Sequence, residues 1–144
     1  MKVLEIAGGI HKDERGTLSF VNDFNFESVK RFYSIYHAET SAIRAWQGHK
    51  IEHKYFFVNQ GSFVVSWVQP DNWDQPSKSL QPAYTILDAE RPVILSVPAG
   101  FANGIKALKP QSLLTIYSNL NIKDSAADMW RFPAEQWLDW TKFK

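Results

Sequence analysis

Cysteine is missing from all 144 residues, which removes disulfides, thiolate metal sites and cysteine nucleophiles from consideration. Long apolar runs are missing too: no stretch approaches the roughly 18 residues of a membrane-spanning helix. The opening MKVLEIAGGIHKDERG lacks the apolar run and cleavage site of a secretory leader. The expected compartment is therefore the cytoplasm, with no membrane partner. An excess of one charge is also absent, because sixteen Lys and Arg oppose fifteen acids for a formal net charge of +1. No global field draws the chain to nucleic acid or to an anionic bilayer, so an anionic ligand must be held by a local cluster. With four His and no Cys, any metal would need imidazoles and carboxylates. Internal repeats, linkers and low-complexity segments do not occur.

What the chain has is apolar and aromatic side chains, 44% and 15% of residues respectively, enough for one folded domain over 1–144 with a single core. Short runs rich in Val, Ile, Phe and Tyr predict strands at 16–22, 30–37, 42–49, 53–60, 61–69, 83–88, 93–98, 102–108 and 113–119, separated by turn residues. This is the pattern of an all-β sandwich or barrel. Asn59-Gln60-Gly61 predicts a tight hairpin turn joining two antiparallel strands. The stretch 70–82 carries three prolines and reads as a surface loop. One short helix is predicted at the C-terminal end, where Pro133 precedes AEQWLDWTKFK with acids early and lysines late, its Trp137 and Trp140 packing on the sheet.

Four features carry potential chemistry. The first is the polar cluster Arg44, Gln47, His49, Lys50, Glu52, His53 and Lys54. Alternation puts Lys54 on one face with Phe56 and Val58, and His53 on the other with Tyr55 and Phe57, while Gln47 and His49 share a face of the preceding strand. If Phe56 and Val58 face inward, so does Lys54, and a pocket or an ion partner must justify a buried ammonium. The alternative is a set of charges on a solvated strand end. The second feature is VPAGFANGIKAL (97–108), a sharp Gly-containing turn that feeds a strand through Asn103. The third is HKDERGTL (11–18), where Arg15 is suited to bidentate diphosphate binding or is simply surface. The fourth is Tyr117 with Asn119, either an inward phenol acid or an ordinary core Tyr. A metal site would have only His49 with Glu52 or His53 to build on.

These motifs together resemble the RmlC-like, nucleotide-sugar branch of the cupin superfamily, namely the dTDP-4-keto-6-deoxyhexose 3,5-epimerases and the dTDP-4-keto-6-deoxyglucose 3,4-ketoisomerases. DERGTL is similar to the family's DxRGxL/F opening, and VPAGFANG to the epimerases' VPxGFAHG, with Asn103 at the His. KRFYSIYHAETSAIRAWQGHK parallels the ketoisomerase segment ending in RGxHxHK, so that Arg44, Gln47, His49 and Lys50 fall on its Arg, two His and Lys. Lys54 keeps the seven-residue spacing to Gly61 that the epimerases show. The resemblance covers residues from about 11 to about 135.

It implies a cupin jelly-roll β-barrel, a homodimer, a dTDP-linked sugar nucleotide at the barrel mouth, and proton transfer without metal or other cofactor. His49 would be the base, Lys54 or Arg44 would stabilise the enolate oxygen, and Tyr117 would return a proton. Arg15 would grip the diphosphate of a ligand, in this or the neighbouring subunit, and Gln47, Lys50 and Asn103 would contact substrate. Gln47 stands where the epimerase base is a His, and an amide accepts no proton in the working pH range. The expectation is thus a 3,4-ketoisomerase or epimerase of a nucleotide-linked 4-keto-6-deoxy sugar, serving deoxy sugars of surface polysaccharide. The alternatives are a catalytically silent relative that binds a sugar nucleotide or carbohydrate, and a metal-dependent cupin.

Overall fold

A computed structural model describes residues 1–144. Its strands are β1 (Leu4–Ala7), β2 (Gly9–Asp13), β3 (Gly16–Phe20), β4 (Arg31–His37), β5 (Ile43–His49), β6 (Lys54–Gln60), β7 (Ser62–Val68), β8 (Ala83–Asp88), β9 (Val93–Val97), β10 (Phe101–Ala107), β11 (Ser112–Ser118) and β12 (Trp130–Arg131). One short helix, α1, spans Ile122–Ala126. Two five-stranded antiparallel sheets form, in the orders β1-β9-β6-β11-β4 and β12-β5-β10-β7-β8, and β2 pairs with β3 as a separate hairpin.

Alternation explains why the sheets stack. Phe56 and Val58 of β6, Leu95 and Val97 of β9, and Leu114 and Ile116 of β11 meet Phe63 and Val65 of β7, Leu87 of β8 and Ile105 of β10 in one buried core. The second sheet is apolar on its outer face as well, through Trp46, Val64, Val68 and Ala102, and the C-terminal residues Trp137, Leu138, Trp140 and Phe143 cover it. Removing either of the buried indoles Trp46 or Trp140 would cost on the order of 3–5 kcal/mol.

Two expectations need correction, and several elements were not foreseen. The C-terminal segment forms turns and a 3₁₀ turn at Trp140–Lys142, not an α-helix. The Ala134 carbonyl, which a helix would offer to the Leu138 N–H, instead accepts from the indole nitrogens of Trp46 and Trp140, at 3.1 and 2.9 Å. The Trp137 indole donates to the Ser77 carbonyl at 2.8 Å. The aromatic side chains thus anchor the segment one by one, and this packing outweighs a weak helical propensity. The α-helix that does form, α1, was not apparent in the sequence; Asn121 caps it by accepting from the Asp124 N–H at 2.8 Å. Gly61 does make a tight turn, with φ of +75°, but β6 and β7 lie in different sheets, so the turn carries the chain across the sandwich instead of closing a hairpin. Strands β1 and β2, at residues 4–13, also went unpredicted.

The loop at 70–82 is confirmed as the connection between β7 and β8. No helix is long and apolar enough to cross a membrane. At one side of the sandwich, where β4 is an edge strand and β12 extends β5 only at Gln47 and Gly48, residues of both sheets line a gap. That gap holds the site.

Candidate functional site

Between β4, β6 and β11 on one side and β5 and β10 on the other lies a cavity of about 270 Å³. Tyr33, Arg44, Gln47, Lys54 and Asn103 supply its polar wall, and Ile35, Phe56, Ile105 and Ile116 its apolar floor. Simple alternation would put Arg44 and Gln47, three residues apart, on opposite faces. A β-bulge brings them together: Gln47 pairs with Asn103 and Arg44 with Ile105, so Ala45 and Trp46 oppose the single residue Gly104. Glycine is needed there, because a Cβ would sit 2.6 Å from the Ala45 Cβ and 2.8 Å from the Trp140 ring. This is the physical content of Gly104, the second glycine in VPAGFANGIKAL, which lies inside β10 and not in the turn.

His49 ends β5 on the same face as Gln47 and is 2% exposed. Its Nδ1 lies 2.8 Å from the Asp128 carbonyl oxygen, which can only accept, so Nδ1 carries the ring proton. The neutral ring therefore keeps its lone pair on Nε2, which is buried and has no partner. Burial foremost, and the Lys54 charge second, hold His49 below the ordinary histidine pKa of 6.5, against the opposing pull of the Asp128 carbonyl and the Glu52 and Asp128 carboxylates.

Two buried acids shape the turn behind His49. The Asp128 carboxylate accepts from the backbone N–H groups of Lys50, Ile51 and Glu52 at 2.9, 2.9 and 2.7 Å. Glu52 is 1% exposed; its Oε2 accepts from Arg31 at 3.2 Å and from the Ser118 hydroxyl, and its Oε1 accepts from Ser125 of α1 at 3.0 Å. The same Oε1 lies 3.3 Å from His49 Nδ1.

Lys54 is 3% exposed and forms no ion pair; its Nζ sits 5.9 Å from the centre of the Tyr33 ring. Desolvation lowers its pKa to about 8, with Arg31 adding to the fall and Glu52 and Asp128 opposing it. The Tyr33 phenol is pushed up to about 12, by burial first and Glu52 second. Arg31 lies over the other part of this group, its Cζ 4.9 Å from the Tyr33 ring centre.

The structure brings Arg44, Gln47, Lys54 and Asn103 together in the cavity wall, with His49 buried on the same side. Tyr117 is corrected: it lies on the outer face of its sheet, among Phe24, Phe26 and Phe32, opposite to the face of Leu114 and Ile116. Tyr33 is the phenol that lines the cavity. Arg15 stands in the exposed β2–β3 hairpin, its Nη2 2.6 Å from Asp13 Oδ2, and does not reach this cavity within the chain. Lys50 is exposed, with Nζ 4.6 Å from the Trp130 ring centre, and is outside the cavity wall. His53 turns outward, stacked on Tyr55 with its Nε2 2.7 Å from Ser96 Oγ, so it cannot join His49 around a metal. No group of three or more His, Asp or Glu side chains converges on a point where it could hold a metal ion.

The sequence offered a signal for some of the residues not foreseen. Arg31, Tyr33 and Ile35 alternate along RFYSIYH as one inward face. Nothing local marks Ser118, Ser125 or Asp128, which reach the turn at 50–52 from 66 to 78 residues away.

No protein-family model and no curated protein sequence matches this chain. Solved structures do. A His-to-Asn mutant of the 3,4-ketoisomerase QdtA of Thermoanaerobacterium thermosaccharolyticum, in complex with TDP-4-keto-6-deoxyglucose, superposes with a TM-score of 0.70 at 19% identity, over 90% of this chain and 87% of that one. A double mutant of ChmJ, a 3'-monoepimerase of Streptomyces bikiniensis, in complex with dTDP, gives 0.79 at 16% identity over 99% and 76%. The dTDP-4-dehydrorhamnose 3,5-epimerase of Bacillus anthracis, with TDP and PPi bound, gives 0.75 at 23% identity over 92% and 79%. The chain therefore has the RmlC-like cupin jelly-roll fold.

Proposed function

We propose that this protein is an isomerase of a nucleotide-linked 4-keto-6-deoxy sugar, most naturally a dTDP sugar, acting as a 3,4-ketoisomerase by metal-independent proton transfer. The observation that carries the reading is His49: a buried imidazole whose Nδ1–H is committed to a carbonyl and whose Nε2 lone pair has no partner, two residues along β5 from Gln47 in the wall of a cavity that also holds Arg44 and Lys54. The solved structures of the same fold, one named above with a TDP-linked keto sugar and two with dTDP or TDP, support the substrate class.

In the proposed reaction Nε2 takes the C3 proton and the electron pair moves onto O4, giving an enolate. Lys54, with a pKa near 8, gives O4 a proton. The O3 hydroxyl loses its proton to the same lysine, C4 takes the proton held by His49, and a 3-keto sugar leaves with no net redox change. Arg44 and the protonated Tyr33 phenol offset the enolate charge. Glu52, facing Nδ1, stabilises the imidazolium while it exists. One base suffices for a shuttle between adjacent carbons, whereas inversion at both C3 and C5 takes acid and base on both faces. Gln47 and Asn103, in the positions of family histidines, supply neither.

A second reading, a sugar-nucleotide binder without turnover, is favoured by one observation: Nε2 is closed off, so substrate can reach it only if the wall beside it shifts. We place the protein in the cytoplasm, in deoxy-sugar synthesis for surface polysaccharide, and as a homodimer. The dimer is supported by the outer face of the first sheet, where Phe26, Phe32 and Tyr36 are each more than half exposed.

Incubation with dTDP-4-keto-6-deoxyglucose in deuterated water, followed by NMR, tests the function. Exchange at C3 with a 3-keto product is the expected result; exchange at both C3 and C5 would mean an epimerase. Saturable binding without exchange would establish the second reading.

A further inference from the structure

We propose that His37 is a positioning residue for Arg44, holding its guanidinium so that the two terminal amino groups present a fork to the cavity. The inference rests on the reading of that cavity as a keto-sugar site.

His37 closes β4 in one sheet and Arg44 is the second residue of β5 in the other, so their contact joins the two sheets beside the cavity. Arg44 Nε donates to His37 Nε2 at 3.3 Å. Arginine is only ever a donor, so Nε2 must be unprotonated and the ring proton must sit on Nδ1. That Nδ1 is buried and has no partner. A histidine serving packing alone would satisfy its donor and leave its acceptor to water. Here the reverse holds, and the one bond the ring makes is to a residue of the cavity wall.

The bond occupies one of the five guanidinium N–H groups. Nη1 and Nη2 make no hydrogen bond to the protein, and Arg44 lines the cavity. With Nε anchored, the remaining fork has a fixed direction and suits two neighbouring oxygens, such as the keto and hydroxyl oxygens of an α-hydroxyketone. Arg44 is the charged group on His37: Phe63 of β7 lies 5.7 Å from its ring centre, and Ser112 of β11 pairs with it across the sheet. Burial and the Arg44 charge both lower the His37 pKa, which keeps the acceptor available.

Two measurements test this. Nitrogen-15 NMR of the imidazole in the full chain at pH 7 is expected to show His37 neutral with the proton on Nδ1; a proton on Nε2, or an imidazolium, would overturn the proposal whatever the substrate proves to be. Deuterium exchange into dTDP-4-keto-6-deoxyglucose is then compared for His37→Leu and His37→Gln, the second of which can place an amide oxygen where Nε2 accepts. The expected result is a fall in kcat of about tenfold to a hundredfold for His37→Leu, with recovery of most of it in His37→Gln. Equal losses in both variants, or none in either, would overturn the role. If the wild type binds but exchanges nothing, the functional reading fails and the NMR result alone decides the tautomer and the anchor.

Discussion

His49 Nδ1 stands 3.3 Å from Glu52 Oε1, which Ser125 holds, and 2.8 Å from the carbonyl oxygen of Asp128, a residue far along the chain. Glu52 follows His49 by three positions, and the Asp128 carboxylate accepts from the N–H groups of the turn at Lys50, Ile51 and Glu52. The imidazole is thereby fixed in one tautomer and one orientation before any substrate arrives, a precondition for a base in a buried site.

This arrangement sets a pH profile. His49 must be neutral to act, and its pKa lies below 6.5, so kcat/KM is expected to hold on the acid side until below about pH 6.5. Lys54 must be protonated to donate, so the alkaline limb is expected at about pH 8. Lys54→Arg should lower kcat and remove the alkaline limb, because a guanidinium does not give up its proton in this range. An acid limb above pH 7 would rule out His49 as the base.

Lys54 also imposes a cost on folding. Its folded pKa of about 8 lies below the ordinary 10.5, so between these values the unfolded chain binds more protons and stability rises with pH. Below pH 8 the penalty is fully present, on the order of 3 kcal/mol. Above about pH 10 the rise is opposed by Tyr33, whose folded pKa of about 12 exceeds its ordinary value of 10 and favours the unfolded state. Lys54→Met is expected to raise the denaturation midpoint at pH 7 and to flatten its rise between pH 8 and 10. A variant less stable than the parent would contradict the desolvation argument.

Glu52 is the reverse case. Replacing it with Gln leaves Arg31 without its carboxylate in a partly buried site, with an expected loss on the order of 3 kcal/mol in denaturant unfolding. A loss below about 1 kcal/mol would mean that the ion pair behaves like a surface pair.

The two tyrosines are separable by a single atom each. Tyr33→Phe is expected to lower kcat by about tenfold to a hundredfold, since it removes the phenol that lines the cavity. Tyr117→Phe, on the outer aromatic face, is expected to leave kcat unchanged and to shift stability by about 0.5 kcal/mol or less. The opposite ranking would restore Tyr117 to the site.

The absence of cysteine, the recurrence of short β-rich runs and the company of Lys54 with Phe56 and Val58 are properties of neighbouring residues, and from them an all-β sandwich with an inward lysine could be read directly. Alternation fails wherever its period is interrupted or both of its phases are apolar. The bulge at Ala45–Trp46 joins Arg44 to Gln47 on one face. In LLTIYSN, Leu113 and Tyr117 form one apolar phase and Leu114 and Ile116 the other, and only pairing with β6 decides that the second faces inward. Contacts across long separations stayed invisible for the same reason: the bond from His49 to Asp128 spans 79 residues and that from Ser118 to Glu52 spans 66. The sequence by itself determined which residues could do chemistry and that strands would carry them, because strand periodicity is local. The tertiary structure decided that Tyr33 and not Tyr117 meets the cavity, and that Glu52 and Asp128 fix His49. Those outcomes depend on which sheet each strand joins, and that is settled by packing among residues distant in the chain.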